Sequence, residues 1–396
     1  MTGKRKRKLA MPDTLIIVAS VVLLVAILSW IIPSGTYDYQ EMNINGRIRN
    51  VAIDGTYHTI DKSEVTTTGF LGFFSVLYRG CVEAADVIFM ILCCCGTFGV
   101  VVKTGAFHAG IGTILKKLKG KEILLVPIIM MIFGLGGSVF GMASEFYGFY
   151  PLIVGLGVAL GYDAMFGFAI IAVGEFVGFM GATLNPYSVG IAQTISGVEL
   201  YSGTGYRAIC FVIFMAISII YVMVYGRKIK KNPGASVVFG EKNIHAFDRD
   251  ELNEYSFTLK DGLVLLDVLV VLVVLMLGLI KWGWDFPQLC GLFLLMSMIA
   301  AAICKWSPNK WCSEFIDSAK TAMWGCILTG IAKAITVVMQ DAQIMDTVIY
   351  GLSNVLKNAP HAVSAQVMLV VQTLINFFIP SATGQASATM PIMAQL

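Results

Sequence analysis

The 396-residue chain is 57% hydrophobic and only 13% charged, with a mean hydropathy of +0.78. Water-soluble domains carry about 25% charged residues, so a soluble enzyme or nucleic-acid-binding domain is excluded and the chain belongs in a bilayer. The net charge of +3 says little by itself. What matters is where the positive clusters sit relative to the apolar runs.

The first cluster, KRKRK at Lys4 to Lys8, precedes the apolar run Thr14 to Pro33. That run is longer than a signal-peptide core of about 7–15 residues, and no small-x-small cleavage site follows at once. It reads as a retained span with a cytoplasmic N-terminus. A polar loop from Ser34 to Gly69 is then expected outside, and Val82 to Val102 returns to a second cluster, KKLKGK at Lys116 to Lys121. From Glu122 the apolar sequence re-enters, but Gly134, Gly136, Gly137 and Gly141 interrupt it well before Pro151. A re-entrant hairpin over residues 122–161, with its tip around Gly136 to Ser144, is favoured; two full spans are the alternative.

A helix from Ala164 to Gly181 then runs outward and breaks at TLNPYS, Thr183 to Ser188. Pro186 lacks a backbone donor and disfavours helix at Asn185. Tyr206 to Tyr225 returns to RKIKK at Arg227 to Lys231, closing a first repeat over residues 1–226. Residues 227–260 read as a cytoplasmic linker. In residues 261–396, Gly262 to Ile280 and Phe286 to Ile303 form spans around the outer turn KWGWDFPQ. An amphipathic segment and one long outward helix, about Phe315 to Gln340, follow, and then a second hairpin from about residue 363.

Two stretches recur in order. GIGTILK (Gly110 to Lys116) resembles GLSNVLK (Gly351 to Lys357), 241 residues later, and SVFGMAS (Ser138 to Ser144) shares Ser-x-x-Gly-x-Ala-Ser with SATGQAS (Ser381 to Ser387), 243 residues later. Span counting puts the copies on opposite sides, which predicts an all-α, polytopic transporter of inverted repeats with broken helices meeting near the midplane. Little sequence follows Ser381, whereas the first repeat continues through a return arm, a broken helix and a span. The second repeat is therefore expected to be truncated.

Non-helical backbone inside a membrane is tolerated only where it is buried in protein or lines a wet cavity. Gly141 and Gly384 would let a ligand approach the main chain. Ser138, Ser144, Thr183, Ser188, Ser381, Thr383 and Ser387 supply hydroxyl oxygens, and these with freed carbonyls suit a small hard cation such as Na+. Helix N-termini at the breaks suit a carboxylate. The alternative is that small residues only allow close helix packing, as Gly157-x-x-x-Gly161 is read to do. Glu145 and Glu175 are intramembrane acids and candidates for proton or ion coupling, with a carboxylate satisfied by helix-end amides as the other reading of Glu145. Asp86, Asp267 and Lys333 are weaker candidates.

Enzyme signatures are thin: G-x-S-x-G, H-E-x-x-H and the Walker motif are missing. The four histidines, His58, His108, His245 and His361, fall in loops or at helix ends. The nine cysteines lie in or beside apolar segments without C-x-x-C spacing, so neither a disulfide framework nor a zinc site is implied. No cofactor is expected beyond Na+ or H+ as a coupling ion.

EAADVIF (Glu83 to Phe89), LKGKE (Leu118 to Glu122), TLNPYSVGIAQ (Thr183 to Gln193) and NFFIPSATGQASATMPIMA (Asn376 to Ala394) make the chain resemble the YfcC-like members of the C4-dicarboxylate anaerobic carrier family, in the ion transporter superfamily. The resemblance covers essentially the whole chain. It implies a bacterial inner-membrane secondary transporter of C4-dicarboxylates or basic amino acids, with Asn185, Pro186, Ser381 and Gly384 at the ligand-binding centre. Where the family pattern has two acids after the first tip, this sequence has Ser144 and Glu145, so a two-carboxylate scheme is not carried over. The partners expected are a small-molecule substrate, the lipid bilayer and, as an option, a second copy of the chain, with no nucleic acid. A passive channel and a membrane-embedded enzyme are the rival readings.

Overall fold

The computed structural model describes residues 12–44, 47–118, 122–240, 257–357, 363–379 and 381–394. The KRKRK cluster, Lys119 to Lys121, His245, His361 and Pro380 lie outside the described residues. Among those described, seven helices are long and apolar enough to cross a membrane: α1 (Thr14–Ile31), α3 (Ala85–Lys103), α7 (Ala164–Gly181), α9 (Thr204–Lys231), α10 (Leu259–Lys281), α11 (Phe286–Ile303) and α13 (Met323–Asp341). The protein is an all-α, polytopic membrane protein. Many spans begin at a polar residue that satisfies the first free amides. Asp13 accepts from Leu15 N, Asp163 from Phe166 N, and Thr258 and Asp285 each close a capping box. Leu23, Leu24 and Ile27 on α1 and Ile209, Ile213 and Ile217 on α9 stay exposed, as expected where the solvent is lipid.

The shorter helices are α2 (Phe70–Glu83), α4 (Ala106–Leu118), α5 (Leu125–Leu135), α6 (Tyr150–Ala159), α8 (Ile191–Ile195), α12 (Pro308–Lys320), α14 (Met345–Lys357), α15 (Ser364–Phe378) and α16 (Ala382–Met393). The long helix expected from about Phe315 to Gln340 is instead two, α12 and α13, separated at Thr321 and Ala322. No proline or glycine marks that break. α12 carries Lys310, Glu314, Asp317 and Lys320, and a helix so charged does not continue into hydrocarbon. The chain turns where the apolar sequence of α13 begins. In the same way α9 runs on through the basic cluster to Lys231 instead of ending at Tyr225.

Packing is reciprocal between the halves. α1 and α2 both lie on α13, whereas α11 and α12 both lie on α3. Two of these contacts, α2 on α13 and α12 on α3, use small residues to bring the helices together. A Cβ on Gly80 of α2 would sit 2.5 Å from the Gly330 carbonyl of α13, and one on Gly99 of α3 would sit 2.1 Å from Ser318 Cβ of α12. Gly157 serves the same purpose against Gly167, while Gly161 faces open space at a positive φ and ends α6.

The polar segment after α1 is more ordered than a loop. It forms two antiparallel ribbons, β1 (Ser34–Thr36) with β4 (His58–Ile60) and β2 (Tyr39–Ile44) with β3 (Arg47–Ala52). They clasp the α13–α14 corner. Ser34 Oγ donates to Ala342 O at 2.7 Å, and Asp346 accepts from Thr36 Oγ1, Tyr37 N and the Tyr39 hydroxyl at 2.8–3.1 Å. Burial and then the Asp346 charge raise the Tyr39 phenol above its ordinary range, so it stays a donor. Hydrogen bonds to a charged group contribute about 1.5–3 kcal/mol. Asp346→Ala should therefore lower the thermal midpoint of the purified protein by several degrees; an unchanged midpoint would show that the ribbons are not clamped this way.

Candidate functional site

α7 ends at Gly181, and Ala182 closes it in the left-handed conformation (φ 37°, ψ 55°), which a residue with a Cβ adopts at a cost of about 1–2 kcal/mol. The chain then extends through Thr183 to Asn185 and turns into a π-helical segment, Pro186–Gly190, followed by α8. Asn185 caps this new start: its Oδ1 accepts from Tyr187 N at 2.9 Å and Ser188 N at 3.2 Å. Pro186 takes a first-turn position, where a missing N–H removes nothing. One proline and the asparagine before it thus stop one helix and begin the next.

The apolar stretch from α5 to α6 breaks in a similar way. α5 passes into a π-helical turn, Gly136–Phe140, then Gly141 at φ 67°, then a 3-10 segment, Ser144–Phe149, and α6. This tip and the α7 break are bonded to each other. The Ser138 and Thr183 hydroxyls lie 3.0 Å apart, Thr183 N donates to Ser138 Oγ, and Thr183 Oγ1 donates to Ser138 O. Leu184 N also donates to Ser138 O, and Asn185 Nδ2 donates to Gly137 O at 3.1 Å. Ser138 and Asn185 are fully buried. A Cβ on Gly141 would stand 2.7 Å from Asn185 Oδ1, so no other residue fits there without moving the asparagine.

The second copy of the heptapeptide has a different local structure. Ser381 caps α16, accepting from Gly384 N at 3.3 Å, and Thr383, Gly384 and Ser387 lie inside the helix. Ser387 Oγ donates back to Thr383 O. Thr383 Oγ1 donates to Tyr187 O at 3.0 Å, joining this segment to the rest of the site. The structure therefore brings Ser138, Gly141, Thr183, Asn185, Pro186, Ser188 and Thr383 into one cluster. Ser144 follows the first tip with partial exposure, and Ser381 stays exposed at the start of α16.

Glu145 and Glu175 are both buried. Glu145 Oε2 accepts from Ala143 N at 2.9 Å, the helix-end arrangement weighed as its alternative, and Glu175 Oε2 accepts from the Tyr150 hydroxyl at 3.3 Å. Two contributors escaped the sequence reading. Tyr150 carries no motif. Arg207, a cation at the start of an apolar run, was a readable signal: its guanidinium donates to Ala182 O and Thr183 O at the break, both at 3.1 Å. No group of three or more His, Cys, Asp or Glu set to hold a metal occurs among the described residues. The cluster instead offers hydroxyls, carbonyls and amides. One hydroxyl, that of Ser188, is buried with no hydrogen-bond partner among the described residues.

The model of the C4-dicarboxylate anaerobic carrier family, DcuC, matches residues 11–396. The chain belongs to the DcuC family. It is a membrane transporter and not an enzyme. Its DcuC-family relatives include YfcC of Escherichia coli (strain K12), a candidate basic amino acid antiporter, 31% identical over all of this chain and 84% of that one. An uncharacterized protein of Haemophilus influenzae is 28% identical over all of this chain and 85% of that one. Among solved structures, the YdaH transporter of Alcanivorax borkumensis is similar at a TM-score of 0.44 with 13% identity, over 96% of this chain and 82% of that one. MtrF of Neisseria gonorrhoeae, from a class of antimetabolite efflux pumps, also scores 0.44, with 16% identity over 98% and 81% of the two chains. Likeness at that level settles neither fold nor function.

Proposed function

We propose that the protein is a secondary active transporter of a small carboxylate-bearing metabolite, a C4-dicarboxylate or an amino acid, driven by Na+ or H+ or by exchange for a counter-substrate. It resides in the bacterial inner membrane with its N-terminus in the cytoplasm. The observation that carries this reading is the convergence of two helix interruptions, residues 136–143 and 182–188, with the start of α16, the first two bonded through Ser138–Thr183 and α16 bonded to the second through Thr383–Tyr187. Broken helices put polar backbone where a substrate can meet it inside the bilayer. Reciprocal packing of α1 and α2 on α13 and of α11 and α12 on α3 supports reading residues 1–226 and 261–396 as inverted repeats.

In this scheme the free hydroxyl of Ser188, with Ser144, Ser381 and the main chain at Gly384, meets the carboxylate, while Asn185, Ser138 and Thr183 hold the frame. Glu145 and Glu175 carry the coupling ion. A basic amino acid antiporter, the description given to YfcC, is the second reading, favoured by that relative alone. Uptake into proteoliposomes tests the proposal: succinate or arginine should accumulate above its outside concentration when a gradient or counter-substrate is supplied. Equilibration without accumulation would mean a channel.

The coupling role has its own test. Glu175→Gln keeps a partner for the Tyr150 hydroxyl but removes the charge. It should retain one-for-one exchange of labelled for unlabelled substrate and lose gradient-driven uptake by at least about tenfold, as expected for an intramembrane acid in a relay. Equal retention of both activities would remove Glu175 from the coupling scheme.

A further inference from the structure

Arg207 stands in the first turn of α9, directly after the segment that follows α8. Its guanidinium donates to four oxygens: Ala182 O through Nε, Thr183 O and Thr204 Oγ1 through Nη2, and Ser202 O through Nη1, at 2.8–3.2 Å. Thr204 Oγ1 donates in turn to Tyr201 O at 2.5 Å, which fixes that hydroxyl as an acceptor for Arg207. Among these bonds the arginine acts as a donor to backbone and hydroxyl and not as half of an ion pair, since all four partners are neutral oxygens. Two of them are the carbonyls freed where α7 ends, which lipid could not satisfy. The same carbonyls belong to the two peptides that follow Ala182, the residue held at φ 37°.

A strained residue persists only where its surroundings over-determine it. Beside the bonds to Ser138 and Gly137 already described, the surroundings here include an arginine on a neighbouring helix, which holds the two carbonyls of the turn itself. We propose that Arg207 is a positioning residue for transport: it latches the Ala182–Thr183 turn in its left-handed form, and so holds Thr183 against Ser138 and Asn185 against Gly137. This rests on reading the break as the substrate site. Because the latch belongs to α9 and the turn to α7, relative movement of these two helices would release the turn and dismantle the cluster. That gives the transport cycle a physical means of opening the site.

Amide hydrogen exchange on the full-length protein in detergent tests this without knowing the substrate. In Arg207→Ala, protection over residues 183–190 should fall by roughly tenfold or more, with α1 and α13 unchanged, since local openings are independent of the rest of the fold. Adding Ala182→Gly, which relieves the left-handed strain, should restore most of it. In the same proteins the half-saturating concentration for succinate or arginine uptake should rise more than the maximal rate falls, and Ala182→Gly should reverse that rise. If Arg207→Ala does not accumulate, Arg207→Lys is measured instead, with the same local loss and the same rescue expected. Unchanged exchange at 183–190, or a uniform loss over all helices that Ala182→Gly does not reverse, would overturn the latch. A local loss of protection with unaltered half-saturation for both probes would overturn the site reading on which it rests.

Discussion

Asn185→Leu should abolish substrate binding, by at least roughly a hundredfold, while the chain still inserts and extracts as a monodisperse protein. The side chain is buried and makes three hydrogen bonds, from Tyr187 N and Ser188 N and to Gly137 O. Leucine fills a similar volume but leaves two amides and one carbonyl unpaired. Each buried unpaired group costs about 1–3 kcal/mol, and about 2.7 kcal/mol is already a factor of a hundred. The spans on either side keep their own hydrogen bonds, so the loss falls on the break and not on insertion. Equilibrium binding of labelled substrate, set beside size-exclusion behaviour, measures both. Normal affinity in this variant would reduce TLNPYS to a packing device.

A pair of alanine substitutions separates the two heptapeptides. Gly141→Ala places a Cβ at φ 67° and 2.7 Å from Asn185 Oδ1. The left-handed conformation alone costs about 1–2 kcal/mol, and the contact pushes the asparagine off its partners, so transport should fall by well over tenfold together with thermal stability. Gly384→Ala meets nothing nearer than 3.5 Å and replaces a glycine inside a helix, a change that stabilises by roughly 0.5–1 kcal/mol. It should raise the thermal midpoint slightly and still cut uptake about tenfold, because the added methyl occupies space left for the substrate. Full activity in Gly384→Ala would mean that the main chain there meets no ligand.

Much of this architecture is written in the sequence at the level of spans and breaks. The predicted helix from Ala164 to Gly181 has those bounds in the structure, and a helix, α15, begins at Ser364, next to residue 363 where a second hairpin is expected. These features depend on local rules: apolar length, proline geometry, capping asparagine and serine. One feature that escaped carries no proline, glycine or cap to mark it: the break at Thr321 shows only as a contrast between charged α12 and apolar α13. The ribbons of the segment after α1 were missed because Asp346, which accepts from Thr36, Tyr37 and Tyr39, lies some 300 residues away.

The heptapeptide repeat gives the sharper lesson. Four shared positions suggested two equivalent tips, yet Gly141 is left-handed in a loop and Gly384 is helical. Composition fixed the location of both interruptions, while surroundings fixed their shape. At the first tip the facing α7 break supplies Thr183 and Asn185 as partners; at the second, Thr383 donates to the Tyr187 carbonyl from inside a helix.

The claim on which the rest depends is that the α7 break and the start of α16 form one substrate site. In a cysteine-free background, single cysteines at Ser188 and at Thr383 should each react with a small methanethiosulfonate, and the transported substrate, at concentrations near its half-saturating value, should slow both reactions. Active transport with neither cysteine protected would contradict a shared site at this junction.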